Sequence, residues 1–216
     1  MKKNLTELVF ILDRSGSMSG LEKDTVGGFN SLIEKQKKED GECLVSMVQF
    51  NTVSDVIYDR CPLDQVRKME MTDYQPSGCT ALIDAMADAI RHIRSVHKYI
   101  REEDVPEHTL FVIMTDGEEN ASKRFSSDEV KKLVSQQKEK GWEFLFLAAN
   151  IDAVETAKHY GIAEDRATNY CCDEKGIETN YEELDAAVKC FRVQGCISAD
   201  WDRKIRKDYE QRKGKK

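Results

Sequence analysis

Five consecutive apolar residues, Leu8 to Leu12, stop abruptly at Asp13, and Leu110 to Met114 repeats the pattern before Thr115-Asp116-Gly117. Short runs rich in Val, Ile and Phe, with no polar alternation, fit strands covered on both faces, as in a parallel sheet. Glu143 to Ala149 is a third such run. Open parallel sheets gather ligands at the carboxyl ends of their strands, so the residues right after each run are candidates for chemistry. After the first run come Asp13, Ser15 and Ser17, a carboxylate and two hydroxyls at alternate positions around Gly16. Hard oxygen donors of this kind suit magnesium or manganese rather than zinc or copper. Asp, Ser and Gly are also ordinary turn residues, but turn preference leaves the regular spacing behind a buried strand unexplained.

Amphipathic segments separate the apolar runs. Residues 22–38 carry Val26, Phe29, Leu32 and Ile33 on one side, at helical spacing. Leu44 to Phe50 and Val53 to Tyr58 read as an antiparallel hairpin around Asn51-Thr52, and residues 61–79 read as irregular. A long helix is expected from about Thr80 to Ile100. Ser126-x-x-Glu129 is a capping box that opens a helix to about Lys140, and Gly141 closes it. A short helix over Asp152 to Tyr160 and an edge strand near Arg166 to Tyr170 follow. Thr179-x-x-Glu182 is expected to open another helix, carrying Leu184, Val188 and Phe191 inward. Strands alternating with helices predict an α/β fold: a doubly wound, mostly parallel sheet with helices on both faces and residues 53–58 as an antiparallel edge strand.

The charge is unevenly spread. The formal net charge is -7, yet Trp201 to Lys216 holds eight Lys/Arg against three acids, net +5, which leaves -12 on residues 1–200. An acidic body argues against general affinity for nucleic acid. No apolar run approaches a membrane span, and the start MKKNLTELVFILD lacks the features of a signal peptide. A cytoplasmic location is therefore expected. Seven cysteines, an odd number with no CxxC and with Cys171 and Cys172 adjacent, argue against a disulfide framework. A zinc cluster of Cys171, Cys172, Cys190, Cys196 and His159 would have a spacing that matches no familiar pattern.

Three loops collect the oxygen donors: DRSGS at residues 13–17, Cys79-Thr80-Ala81-Leu82 with Asp84-Ala85 following, and MTDGEEN around Asp116. In order and spacing these resemble the von Willebrand factor type A (vWA) domain and its metal-ion-dependent adhesion site, over roughly residues 5–170. Three separated signals in the right contexts are far more specific than DxSxS alone. The resemblance implies that Ser15, Ser17 and Thr80 coordinate Mg2+ (or Mn2+) directly, and that Asp13 and Asp116 hold it mainly through water. It implies one open position on the cation, filled by a Glu or Asp of a partner protein, and so an interaction module rather than an enzyme. It also points to the bacterial intracellular type, whose members act as scaffolds or regulators and occur in stress-response and tellurium-resistance-type gene clusters. Residues 1–195 would form the vWA domain and residues 196–216 a basic helical tail.

Cys79 stands where the family more usually has Gly, without removing a ligand. Arg14 could pair with an acid on the same surface, and Glu118 and Glu119 are read as a solvated acidic loop. The alternative function is a magnesium-dependent phosphatase or phosphotransferase. Against it, the haloacid-dehalogenase-like pattern needs a second Asp where Ser15 stands, there is no GxxxxGK[ST] and no strand-borne GxGxxG, and His92, His97, His108 and His159 form no HExxH. In the tail, Trp201, Ile205 and Tyr209 form a narrow stripe, expected to dock on the protein's own domain; a free binding arm is the alternative. In some family members the last helix shifts when the metal site engages a ligand, which makes the helix over residues 179–193 the expected moving part.

Overall fold

The structure, a computed structural model, describes residues 1–213. β1 (Lys2–Asp13) lies at the centre of a six-stranded sheet, between β2 (Glu42–Phe50) and β4 (Pro106–Thr115), and is parallel to both. β5 (Glu143–Ala148) and β6 (Ala167–Asn169) continue the parallel side, and β3 (Ser54–Pro62) closes the other edge antiparallel to β2. The order is β3-β2-β1-β4-β5-β6. This is the doubly wound, mostly parallel sheet with one antiparallel edge expected from the sequence.

Every residue of β1 from Leu5 to Asp13 is buried, because the two faces of the sheet are covered by different helices. Side chains alternate across a strand, so Leu8, Phe10 and Leu12 pack with α1 (Glu22–Gln36) and α5 (Glu174–Gln194), while Val9 and Ile11 pack with α2 (Leu82–Tyr99), α3 (Ser127–Lys138) and α4 (Ala153–His159). A continuous apolar run is what such two-sided burial requires. In register, Asp13 stands opposite Phe50, and Leu12 stands opposite Met114, one residue before Thr115. That alignment brings the residues after β1 and β4 to the same end of the sheet.

The Ser126–Glu129 capping box forms on both sides, but the Thr179–Glu182 pattern does not begin a helix. α5 starts at Glu174, with the Asp173 side chain accepting from the Gly176 amide at 2.9 Å, and Thr179 lies inside the helix, donating to the Lys175 carbonyl at 2.8 Å. Gly176 permits the early start: a Cβ there would stand 1.8 Å from the Cys171 carbonyl oxygen.

α6 (Arg203–Arg212) packs on α5 and β6. Trp201 and Ile205 are buried in the core shared with α5, and the Trp201 indole donates to the Asp165 carbonyl at 2.9 Å. Docking, rather than a free arm, is the arrangement observed for this stripe. Tyr209 is only half-buried, and the third inward position is Asp208, which pairs with Lys175 and Arg212. Among the described residues no helix is long and apolar enough to cross a membrane. Nor does any group of three or more His, Cys, Asp or Glu among them come together to hold a metal, so the Cys/His cluster does not form.

Candidate metal centre

Asp13 ends β1 and is 2% exposed. One carboxylate oxygen accepts from the Ser15 amide at 2.7 Å and the other from the Thr115 hydroxyl at 2.6 Å, while its main-chain carbonyl accepts from the buried Tyr74 hydroxyl. Gly16–Met18 then make a single 3-10 turn. It brings the Ser15 and Ser17 hydroxyl oxygens to 3.0 Å, and Ser17 donates to Asp116 Oδ1 at 2.7 Å. Four of the five expected residues are thus joined side chain to side chain or through one amide.

Thr80 enters through its loop. The Ser77 amide donates to the Arg14 carbonyl at 2.9 Å, and the Gly16 amide donates to the Gly78 carbonyl at 3.1 Å, which fastens residues 77–80 against residues 14–16. Gly78 has a φ of 73°, and a Cβ there would stand 2.8 Å from Thr52 Oγ1, so only glycine passes this turn without strain. Thr80 itself is buried, its amide donating to Asn120 Oδ1 at 2.9 Å and its carbonyl accepting from the Asn120 amide at 3.0 Å. On the opposite side, Asp116 is 1% exposed; its carbonyl accepts from Asn150, and its Oδ2 faces the Cys172 thiol at 3.8 Å. Ser17 is the exposed member of the set.

Neither Asp13 nor Asp116 forms an ion pair among the described residues, and Arg14 turns to Asp55 instead. Burial raises the Asp13 carboxyl above the usual carboxylate range; bonds from Thr115 and Ser15 pull against it, and the charge of Asp116 adds to it. Burial raises Asp116 too, against the pull of Ser17 and Cys172. Burial and then the Asp116 carboxylate push the Cys172 thiol up to about 12. Two buried acids with hydroxyl neighbours and no basic partner are what a hard divalent cation would satisfy, and the donor set fits such an ion.

Several residues of this region escaped the sequence reading. Thr115, Tyr74 and Tyr170 look like core residues, yet Thr115 holds Asp13, and the Tyr170 hydroxyl donates to the Thr115 carbonyl at 3.1 Å. Cys172 comes from the loop before α5, where spacing gives no sign of it. Glu119 corrects the solvated-loop reading: it accepts from the Ala121, Ser122 and Ile83 amides at 2.7 to 2.9 Å, capping α2, whereas Glu118 is exposed as expected. Asp84 is another anchor. Burial works against its charge, but the amides of Lys123, Arg124 and Phe125 outweigh that and hold its carboxyl below the usual range.

The family model described as von Willebrand factor type A domain matches residues 7–175. Among solved structures, proximal thread matrix protein 1 from the mussel byssus superposes with a TM-score of 0.61 at 13% identity, over 86% of this chain and 46% of that one. The same mussel protein with a zinc-occupied MIDAS motif gives 0.59 at 13% identity, over 85% and 46%. A von Willebrand factor type A protein from Catenulispora acidiphila gives 0.58 at 15% identity, over 85% and 42%. The chain therefore spans less than half the length of these chains, and at such identities the likeness is one of fold. No curated protein matches the sequence.

Proposed function

The chain belongs to the von Willebrand factor type A family, and from that premise we propose that it is a metal-dependent protein-interaction module. One observation carries the reading: two buried carboxylates are linked to the Ser15 and Ser17 hydroxyls at the carboxyl end of the sheet, with buried Thr80 on the loop fastened beside them, and no basic side chain among the described residues is paired to either acid. Ser15, Ser17 and Thr80 would hold the cation through hydroxyls, with Asp13 and Asp116 orienting them and balancing charge. Bound Mg2+ or Mn2+ supplies an electrophilic centre for one anionic oxygen, and a Glu or Asp of a partner protein is the ligand proposed. The occupied MIDAS motif of the mussel protein is consistent with this.

The chain's own residues prepare the approach. Gly16, Ser77, Gly78 and Cys79 form an exposed lip of small residues beside the buried donors, so a partner side chain can come close without displacing bulk. We read the site as binding rather than catalytic. His92, His97 and His159 stand beside Asp59, Glu7 and Glu155, and His108 packs on Phe191, so none serves this site as a general base. The finer reading is a bacterial, cytoplasmic scaffold or regulator linked to stress response, with residues 1–195 as the interaction domain and 196–216 as an appended basic tail. It rests on the sequence resemblance.

Calorimetric titration of Mg2+ and Mn2+ into chelator-stripped protein tests the site. Saturable binding that disappears in both Asp13→Ala and Thr80→Ala supports it, and equal binding in the variants sinks it. Capture of a partner by the wild type with metal, and not with chelator or by Thr80→Ala, then tests the interaction.

A further inference from the structure

At the opposite end of the strands a cavity of about 500 Å³ opens between the last turns of α2 and α3 and the start of β4. Arg94, Lys98 and Lys140 line it, and none of the three is engaged by a carboxylate among the described residues. Arg94 reaches only Gln136 Oε1, at 3.4 Å, and the Lys98 amine lies over the Tyr99 ring. Basic residues commonly offset helix carboxyl ends, but each such end carries only about half a negative charge. Two helix ends and the lining residue Glu107 amount to about two negative charges, so three full cations leave an excess of about one. His97, also on the wall, is already held by Glu7 at 2.6 Å. In a chain whose first 200 residues carry a net charge of -12, an unneutralised basic cavity is out of keeping with its surroundings.

The second observation is Gln137, which lines the cavity from α3. It is 1% exposed, and neither its amide nitrogen nor its amide oxygen has a hydrogen-bond partner among the described residues. A buried amide left unpaired is costly, while a leucine of similar size would carry no such cost. Gln49 and Asn180 are left unpaired in the same way; Gln137 differs from them in lining a cavity, where a ligand can complete it.

We propose that this cavity binds a small phosphomonoester of mononucleotide size. A phosphate monoester offers three terminal oxygens to three cationic side chains where a carboxylate offers two, and the Arg94 guanidinium presents paired donors to two phosphate oxygens. The Gln137 amide, one donor side and one acceptor side, suits a ligand edge offering both, as a nucleobase does. Glu107, an acceptor on the same wall, suits the hydroxyls of a sugar. The volume lies within the range of small-molecule sites.

The test is calorimetry on the full chain with chelator present, so that the metal end is silent, using adenosine 5′-monophosphate, inorganic phosphate and adenosine. The monophosphate is expected to saturate with Kd below about 1 mM, inorganic phosphate to bind more weakly, and adenosine to give no heat. Lys98→Ala/Lys140→Ala, both surface positions, should weaken the monophosphate at least about tenfold with an unchanged melting temperature. Gln137→Leu should weaken it by a similar factor while raising the melting temperature, because the unpaired amide is gone. Three results overturn the proposal: no saturation by the monophosphate, adenosine or inorganic phosphate binding as tightly as it does, or unchanged binding in the double variant. Undiminished binding in Gln137→Leu overturns it as well, since the unpaired amide is then not part of the site.

Discussion

β1 carries two buried carboxylates, Glu7 in mid-strand and Asp13 at its end, and the two are treated differently. Glu7, with a side chain 0% exposed, is met by the Arg60 guanidinium at 2.7 Å and by His97 Nε2 at 2.6 Å. Asp13, 2% exposed, is met by a hydroxyl and an amide and by no cationic side chain among the described residues. Burying a charge is costly unless something compensates it. For Glu7 the compensation is internal and complete, which marks a structural fastening of β1 to β3 and α2. For Asp13 the protein provides orientation and leaves the charge. The lesson is that burial alone does not separate a framework acid from a functional one; the partner does.

Neutralising each acid in place should give effects of opposite sign. Glu7→Gln removes one side of a buried pair and leaves Arg60, 18% exposed at its side chain, without its carboxylate; urea denaturation is expected to show a loss of about 3–5 kcal/mol. Asp13→Asn keeps one acceptor oxygen, for the Ser15 amide, and turns the other into an NH2 that can donate to the Thr115 hydroxyl, whose own proton is free to turn to the Gly117 carbonyl. Calorimetry should find its Mg2+ affinity down at least about a hundredfold, while the metal-free protein melts higher than wild type at neutral pH. If Asp13→Asn destabilises as Glu7→Gln does, the contrast fails.

A pH series sharpens the same point. Asp13 and Asp116 have carboxyls raised by burial, so in this range the folded state holds protons that the unfolded state has released. Their contribution to the stability of the metal-free protein is then greatest below the ordinary carboxylate range and is lost as pH rises through the raised values. Thermal melts with and without Mg2+ should diverge as pH rises from about 4 to 7, with metal-induced stabilisation largest at the top of that range. A gap that stays constant across the series would mean that these acids are not what the cation relieves. The smallest effect expected is for Cys172→Ala, which frees Asp116 Oδ2 from a weak thiol contact at 3.8 Å: a change of about two- to threefold in metal affinity by calorimetry.

Much of this was legible in the sequence, for a physical reason. Strands buried on both faces need unbroken apolar runs, so β1, β4 and β5 announce themselves, and Asp13 and Asp116 are found as the first polar residues beyond two of those runs or their last threonine. Capping boxes show the limit of local reading. Ser126-x-x-Glu129 caps α3, while Thr179-x-x-Glu182, chemically equivalent, lies within α5 because Asp173 caps earlier and Gly176 fits against Cys171. The residues that hold Asp13 and Asp116 in place were hidden because their partners are distant in sequence and ordinary in type: Tyr74, Thr115, Asn150 and Cys172. The contrast between Glu7 and Asp13 was equally invisible, since Arg60 and His97 lie far along the chain.

α5 begins two residues after the cysteine that touches Asp116, and Gly195, just past its last residue, lies so close to His108 that a Cβ there would stand 2.5 Å from the ring. At 21 residues this helix is about 30 Å long. It runs as one rod from the loop beside the acidic end of the sheet to the first residues of β4, which wall the basic cavity. The separation between the two ends is thus set by the length of a single helix, so the two ends of this molecule share a ruler.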